Sequence, residues 1–174
     1  MKIIEPSVHL DHMLRQTRVH HVQLSSMVDL KANMLLTIAS VVLTLAVPHI
    51  MKPNLKLALI VLIVFCMLTI FLAIYAVVPK MPLTIKRDSR PDTKSPFFNL
   101  LFFGDFVNLE YDEYEKAMTD IMKDTDKLYR AELKEIYTLG MFLATKKYKY
   151  LQLAYISFIA GLVVCCLFLF FLNT

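Results

Sequence analysis

The hydrophobic positions of this chain gather into three long, nearly uncharged runs, at residues 32–50, 57–78 and 151–172. They do not alternate with polar residues at a strand or helix period. Long uninterrupted runs point to a bilayer as the surrounding solvent. At about 1.5 Å per residue, a run of about 22 residues covers about 33 Å, enough for a hydrocarbon core of about 30 Å. The second run holds 15 Leu, Ile, Val or Phe residues and no charge. On an insertion scale of about −0.3 to −0.6 kcal/mol for each, that composition gains roughly 5–9 kcal/mol.

The first run is weaker. It contains Asn33, Thr37, Ser40, Thr44 and Pro48, and its best apolar stretch is residues 34–47. A buried amphipathic helix competes with a membrane span here. The span reading is preferred because a short turn carrying Pro48, His49, Pro53 and Asn54 leads straight into the second run. A turn that short joins antiparallel neighbours, so the two runs form a transmembrane hairpin. Ser and Thr at membrane depth suit a helix–helix contact better than lipid.

Lysine and arginine near the helix ends set the orientation. Lys52 and Lys56 flank the first connection. The opposite side carries Arg15, Arg18, Lys31, Lys80, Lys86, Arg87, Arg90, Lys146, Lys147 and Lys149. The N-terminus and the 80–150 segment are therefore expected in the cytoplasm, and the C-terminus outside. The first 31 residues are polar, with Glu5, Asp11, Arg15, Arg18, Asp29 and Lys31. This predicts no cleavable signal peptide, so that the first span also serves as the insertion signal.

The polar segments have distinct characters. Residues 7–31 carry a moderate apolar stripe of Leu10, Met13, Leu14, Val22, Leu24, Met27 and Val28. No Gly or Pro interrupts the chain from Ser7 to Val47, so one helix is expected to run from cytosol into membrane. Residues 79–107 hold Pro79, Pro82, Pro91 and Pro96, which exclude a long helix. Asn108 is a candidate cap for a long helix over 108–150, with Glu110, Asp112 and Glu113 near its positive end. Its apolar stripe runs through Tyr111, Tyr114, Met118, Ile121 and Leu128. It then shifts to Tyr129, Leu133, Ile136, Gly140 and Leu143. Gly140 is the expected bend, and the N-terminal helix is the expected packing partner. The predicted fold is all-α: three transmembrane helices, the first and third extended into the cytoplasm as long helices that pack together.

Composition adds little against this. Of 174 residues, 57 % are hydrophobic, mean hydropathy is +0.54, and the net charge is +4. Basic residues are interleaved with acids, which argues against nucleic acid as a partner. Cys66, Cys165 and Cys166 all lie in apolar runs and form no disulfide or metal pattern. His9, His12, His20 and His21 read as solvated helix residues, because a metal site needs three or four converging ligands. The acids between Glu110 and Asp126 read as a charged helical face. With no nucleophile elbow or phosphate-loop motif, the chain is not expected to be an enzyme.

Two places carry candidate chemistry. Asp29-Leu30-Lys31-Ala32-Asn33 puts an acid, a base and an amide where the first helix meets the membrane. Ionisable groups at that depth are costly unless paired or snorkelling. An interfacial anchor is the simpler explanation. The second place is residues 86–106, where Lys86-Arg87-Asp88-Ser89-Arg90 precedes Phe97-Phe98-Asn99-Leu100-Leu101-Phe102-Phe103-Gly104-Asp105-Phe106. A nucleotide ligand needs charge for its phosphate and a flat apolar face for its base. Arg87 and Arg90 offer the first; Phe98, Phe102 and Phe103 offer the second. An aromatic belt at the membrane surface is the alternative.

The same residues carry a resemblance. Asp29-x-Lys31-Ala32 stands before the first span and Pro79 closes the second. Asn99-Leu100-Leu101-Phe102-Phe103-Gly104 and Tyr114 follow. Leu143-x-x-Lys146-x-x-x-x-Leu151-x-x-Ala154-Tyr155 leads into the third span. In order and spacing, over roughly residues 25–165, this resembles the transmembrane effectors of Pycsar antiphage defence. It departs at Asp105, where a histidine or similar residue is expected after the glycine. The resemblance implies a partner cyclase that makes cyclic CMP or cyclic UMP during infection. It implies an effector in the bacterial inner membrane that responds to this nucleotide by impairing the membrane and halting the cell. The candidate ligand-binding residues are then Asp29, Lys31, Asn33, Arg87, Arg90, Phe102, Phe103 and Lys146. A β-roll cyclic-nucleotide domain does not fit the 80–150 segment, which is half helical and holds only Gly104 and Gly140 as glycines. Binding between subunits of a homo-oligomer in the lipid bilayer is expected instead. A scaffold or accessory subunit of a membrane complex and a ligand-independent, holin-like pore former are the alternatives.

Overall fold

The computed structural model describes residues 8–79 and 98–172. The regular elements among them are all helical: α1 (Val8–Ala46), α2 (Lys56–Val77), α3 (Phe103–Phe106), α4 (Tyr111–Met122), α5 (Thr125–Phe142) and α6 (Lys149–Leu172). One turn of 3-10 helix, Val47–His49, follows α1, and a π-helical stretch, Leu143–Tyr148, joins α5 to α6. Three helical stretches are long and apolar enough to cross a membrane: Val8–His49, Lys56–Val77 and Thr125–Phe171. The first and third far exceed the roughly 20 residues that one crossing needs.

The chain divides into two compact units. Leu24–Val78 with Leu143–Thr174 forms the membrane unit; Met1–Gln23 with Pro79–Phe142 forms the polar unit. α1 supplies residues to both.

In the membrane unit, the inward line of α1 is Val28, Ala32, Leu35, Ala39 and Ala46. Val28, Ala32 and Leu35 meet Ala73 and Ala76 of α2 and Leu151 and Ala154 of α6 in one cluster. Ala46, Ala58, Leu62, Cys66 and Cys165 form a second cluster. Most of these side chains are small, which lets helix backbones approach closely where lipid offers no hydrophobic drive to pair them. Gly161 shows the tightest approach. A Cβ there would overlap the Cβ of Phe65. Thr69, fully buried, donates to its own helix at Phe65 O, 2.8 Å away. Pro48 cannot donate a backbone hydrogen bond, and α1 tightens into the 3-10 turn there. Val78 precedes Pro79 and is extended (φ −57°, ψ 128°), so α2 ends at Val77.

The polar unit has a thin core. Leu14, Leu100 and Tyr129 are its buried hydrophobic residues among those described. Asn99, 2 % exposed, organises the chain ahead of α3. Its amide Nδ2 donates to Thr138 Oγ1 (3.1 Å), and its Oδ1 accepts from the Leu101 N–H (3.0 Å). Its backbone N–H donates to Asp105 Oδ2 (2.8 Å). Asp105, the departure from the expected histidine, therefore closes this loop. The His21 ring packs against Gly140, where a Cβ would lie 3.3 Å from His21 Cε1.

The long helix expected over 108–150 starts later than expected and is broken once. Its start is not capped by Asn108; α4 begins at Tyr111 with Glu110 as the cap residue. The chain turns again at Lys123–Asp124. Asp124 Oδ1 accepts from the N–H groups of Asp126 (3.0 Å) and Lys127 (3.4 Å), starting α5 afresh. Lys127 Nζ reaches back to Asp120 at 2.8 Å, bracing the break. The shift of the apolar stripe between Leu128 and Tyr129 lies beside this break. Gly140 lies within α5, and the helical irregularity begins three residues later, at Leu143.

Candidate functional site

The polar end of the membrane unit is organised by one ion pair. Lys147 Nζ donates to both oxygens of Asp29, at 2.6 and 2.8 Å, and to Ser25 Oγ at 2.9 Å. The lysine side chain is 13 % exposed and the aspartate 42 %. Lys147 lies four residues after Leu143 and four before Leu151, both buried. It therefore stands on the inward line of its helix. A lone ammonium there would be costly, and three acceptors satisfy it. Lys147 sits in the π-helical stretch, a local widening that is frequent at functional positions.

Of the residues singled out from the sequence, Asp29 is thus engaged by Lys147. Lys31 and Asn33 are exposed on α1, and Lys146 is exposed beside Lys147. Phe102 and Phe103 belong to the polar unit, exposed and in contact as a tilted pair with centroids 5.1 Å apart. Arg87 and Arg90 lie outside the described residues. From the sequence alone Lys147 reads as a topology charge. Its spacing from Leu143 and Leu151 was the signal.

The polar unit contains a cleft that the sequence reading did not single out. Asp11, Leu14, Arg15 and Arg18 of α1 line one side; Glu132, Glu135 and Ile136 of α5 line the other. Its volume is about 230 Å³. Tyr129 donates its hydroxyl to Asp11 Oδ1 at 2.5 Å, and Arg18 Nη1 pairs with Glu135 Oε2 at 3.4 Å. Burial pushes the Glu132 carboxyl above its ordinary range. Asp11 and Glu135 push it the same way, and Arg18 opposes them. The pattern was present as Asp11, Arg15 and Arg18 at i, i+4 and i+7 on one helix face. Glu132 and Glu135 answer it at i, i+3 on another. Such an arrangement presents cationic guanidinium groups for an anion and carboxylates for hydroxyl or amino donors. No group of three His, Cys, Asp or Glu side chains is placed to hold a metal among the described residues.

A family model described as the Pycsar effector protein domain matches residues 12–173. The chain belongs to the Pycsar effector family. No curated protein and no solved structure matches it. This Pycsar effector is accordingly a transmembrane protein of antiphage defence, and its family implies a partner cyclase that produces a cyclic nucleotide. The matched region takes in the Asp29–Lys147 pair, every residue lining the Arg15–Glu132 cleft except Asp11, and all three membrane-length helices apart from the first four residues of α1.

Proposed function

We propose that this Pycsar effector responds to a cyclic pyrimidine mononucleotide, cyclic CMP or cyclic UMP, and then impairs the bacterial inner membrane, arresting or killing the infected cell. The observation that carries this reading is the family match across residues 12–173 of a chain with three membrane-length helices. The protein acts without catalysis, as a homo-oligomer, with its N-terminus cytoplasmic and its C-terminus periplasmic. The positive-inside distribution of lysine and arginine supports that orientation.

The Arg15–Glu132 cleft supports direct binding. A cyclic phosphodiester carries one negative charge, which a guanidinium can pair with two hydrogen bonds. Carboxylates opposite it accept from a ribose hydroxyl or the amino group of cytosine. Ligand pockets usually measure about 300–1,000 Å³, so the cleft of about 230 Å³ is small for one nucleotide. A second subunit would complete it. Moving the effector from about 1 % to 99 % active takes roughly 5.5 kcal/mol of differential binding. Contacts from two subunits can supply that.

The test is growth and membrane potential with the effector alone, then with the cyclase or added nucleotide. Depolarisation only with nucleotide is expected. Harmlessness in both conditions would favour a scaffold or accessory subunit, and toxicity without nucleotide a holin-like pore. Arg15→Ala is compared with Lys31→Ala and with the pair Arg87→Ala and Arg90→Ala. Loss of nucleotide binding, with normal membrane insertion, identifies which arginines and lysines hold the phosphate.

A further inference from the structure

The outward face of α1 in the membrane unit differs from that of the other two spans. Asn33, Thr37, Ser40 and Thr44 are all exposed and follow one another at spacings of four, three and four residues. They form one polar line along the helix. The inward line, through Ala32, Leu35 and Ala39, is already covered. By contrast, α2 presents Leu57, Ile60, Val64, Met67, Leu68 and Phe71 outward, all apolar. Along α6 the outward residues are apolar beyond Gln152 and Tyr155, which lie near its start. Two spans are matched to lipid on their outer faces, and one is not.

The hydrogen bonding within the chain leaves this line half-used. Thr37 and Thr44 donate their hydroxyls to Asn33 O and Ser40 O, each at 2.9 Å, which leaves the threonine oxygens as acceptors. The side chains of Asn33 and Ser40 make no hydrogen bond among the described residues. Asn33 and Ser40 thus each offer a donor and an acceptor, and the two threonines offer acceptors. Hydrocarbon can satisfy neither, whereas a polar helix face can. Thr37, Ser40 and Thr44 also line a shallow groove with Leu36, Val41 and Leu45. In copies inserted in one orientation each residue meets its counterpart at equal depth, and the Asn33 amide and the Ser40 hydroxyl can pair with their own counterparts because each both donates and accepts.

We infer that the Asn33–Thr37–Ser40–Thr44 line of α1 is the surface by which one copy of this chain packs on a second copy within the membrane. This deepens the proposed homo-oligomer and rests on that reading. It assigns α1 to the subunit contact and leaves the outer faces of α2 and α6 to lipid.

The test uses the full chain in native membranes, with Cys66, Cys165 and Cys166 replaced by alanine and insertion verified. Single cysteines are then placed at Ser40, at Val64 on α2 and at Ile159 on α6, and a membrane-soluble oxidant is added. Disulfide-linked dimers are expected for Ser40→Cys and not for Val64→Cys or Ile159→Cys. Equal cross-linking at all three positions, or stronger cross-linking at Val64 or Ile159, would overturn the assignment. So would labelling of Ser40→Cys by a membrane-impermeant maleimide without cross-linking, since that marks a water-lined face. In a chain that keeps its native cysteines, the near-isosteric triple variant Thr37→Val, Ser40→Ala, Thr44→Val should associate about tenfold more weakly, as loss of one or two interhelical hydrogen bonds implies. Unchanged association would also overturn it. Cross-linking without any nucleotide response would instead sink the nucleotide reading and leave this contact standing. The reverse result would sink the contact alone.

Discussion

The membrane unit and the polar unit hold their helices by opposite means. In the membrane unit, small side chains let three helical segments touch, and the Asp29–Lys147 ion pair stands at the polar end. In the polar unit, the described core is little more than Leu14, Leu100 and Tyr129, and links between polar groups join the elements. The difference follows from the solvent. Lipid rewards close packing and punishes an unpaired polar group. Water weakens each polar link and leaves hydrophobic burial to do most of the stabilising. A unit with little burial opens locally at low cost.

The largest effect is expected where the membrane unit breaks its own rule. Lys147→Met leaves the Asp29 carboxylate without its partner, and about 3 kcal/mol should be lost, at the low end for a buried pair because Asp29 is partly exposed. Pairing it with Asp29→Leu should recover most of the loss, as read by unfolding in a denaturing detergent. No recovery would mean that the lysine acts through packing alone. Gly161→Val should cost about 2 kcal/mol in the same assay by driving a side chain into Phe65. A neutral result would show that α2 and α6 separate more easily than their contact implies.

Changes to the polar unit probe the other half of the comparison. Asn99→Ala removes hydrogen bonds at a buried amide and should cost about 2 kcal/mol, with faster amide exchange around residues 99–106 and no change in α2. Exchange that quickens equally in both units would show that the two units do not open independently. Asp124→Ala removes the acceptor that starts α5 and should cost about 1 kcal/mol, visible as fraying at Asp126 and Lys127. Glu132→Gln should act in the opposite direction. The folded state raises the pKa of Glu132, so its charged form opposes folding at neutral pH. Stability linked to this group rises as pH falls through its raised folded value and levels off below its unfolded value of about 4.3. The glutamine variant should be slightly more stable than the parent at pH 7 and should lack that part of the pH dependence.

The three spans were legible because bilayer thickness imposes a length and an absence of charge that no fold can hide. The end of α2 was legible from Pro79, since proline restricts the residue before it whatever the surroundings. The break at Lys123–Asp124 was less so. Its sign was a shift in the apolar stripe at Leu128 and Tyr129, and a stripe can shift across a bend or across a break. The cleft was the least legible. Arg15 and Arg18 served equally well as topology charges, and nothing local to α1 says that Glu132 and Glu135 stand opposite them.

By itself the sequence determined the solvent of each segment, the helical class and the family, because these depend on composition and order along one chain. Tertiary structure alone decided which polar groups meet. It gave Asp29 to Lys147 rather than to a neighbour in sequence, and tied Asn99 to Asp105 and Thr138. It also turned Thr37, Ser40 and Thr44 away from the hairpin partner. A helix fixes only which residues share a face. Which neighbour covers that face is set by packing, where small residues admit a second backbone and a buried charge accepts only a partner within reach.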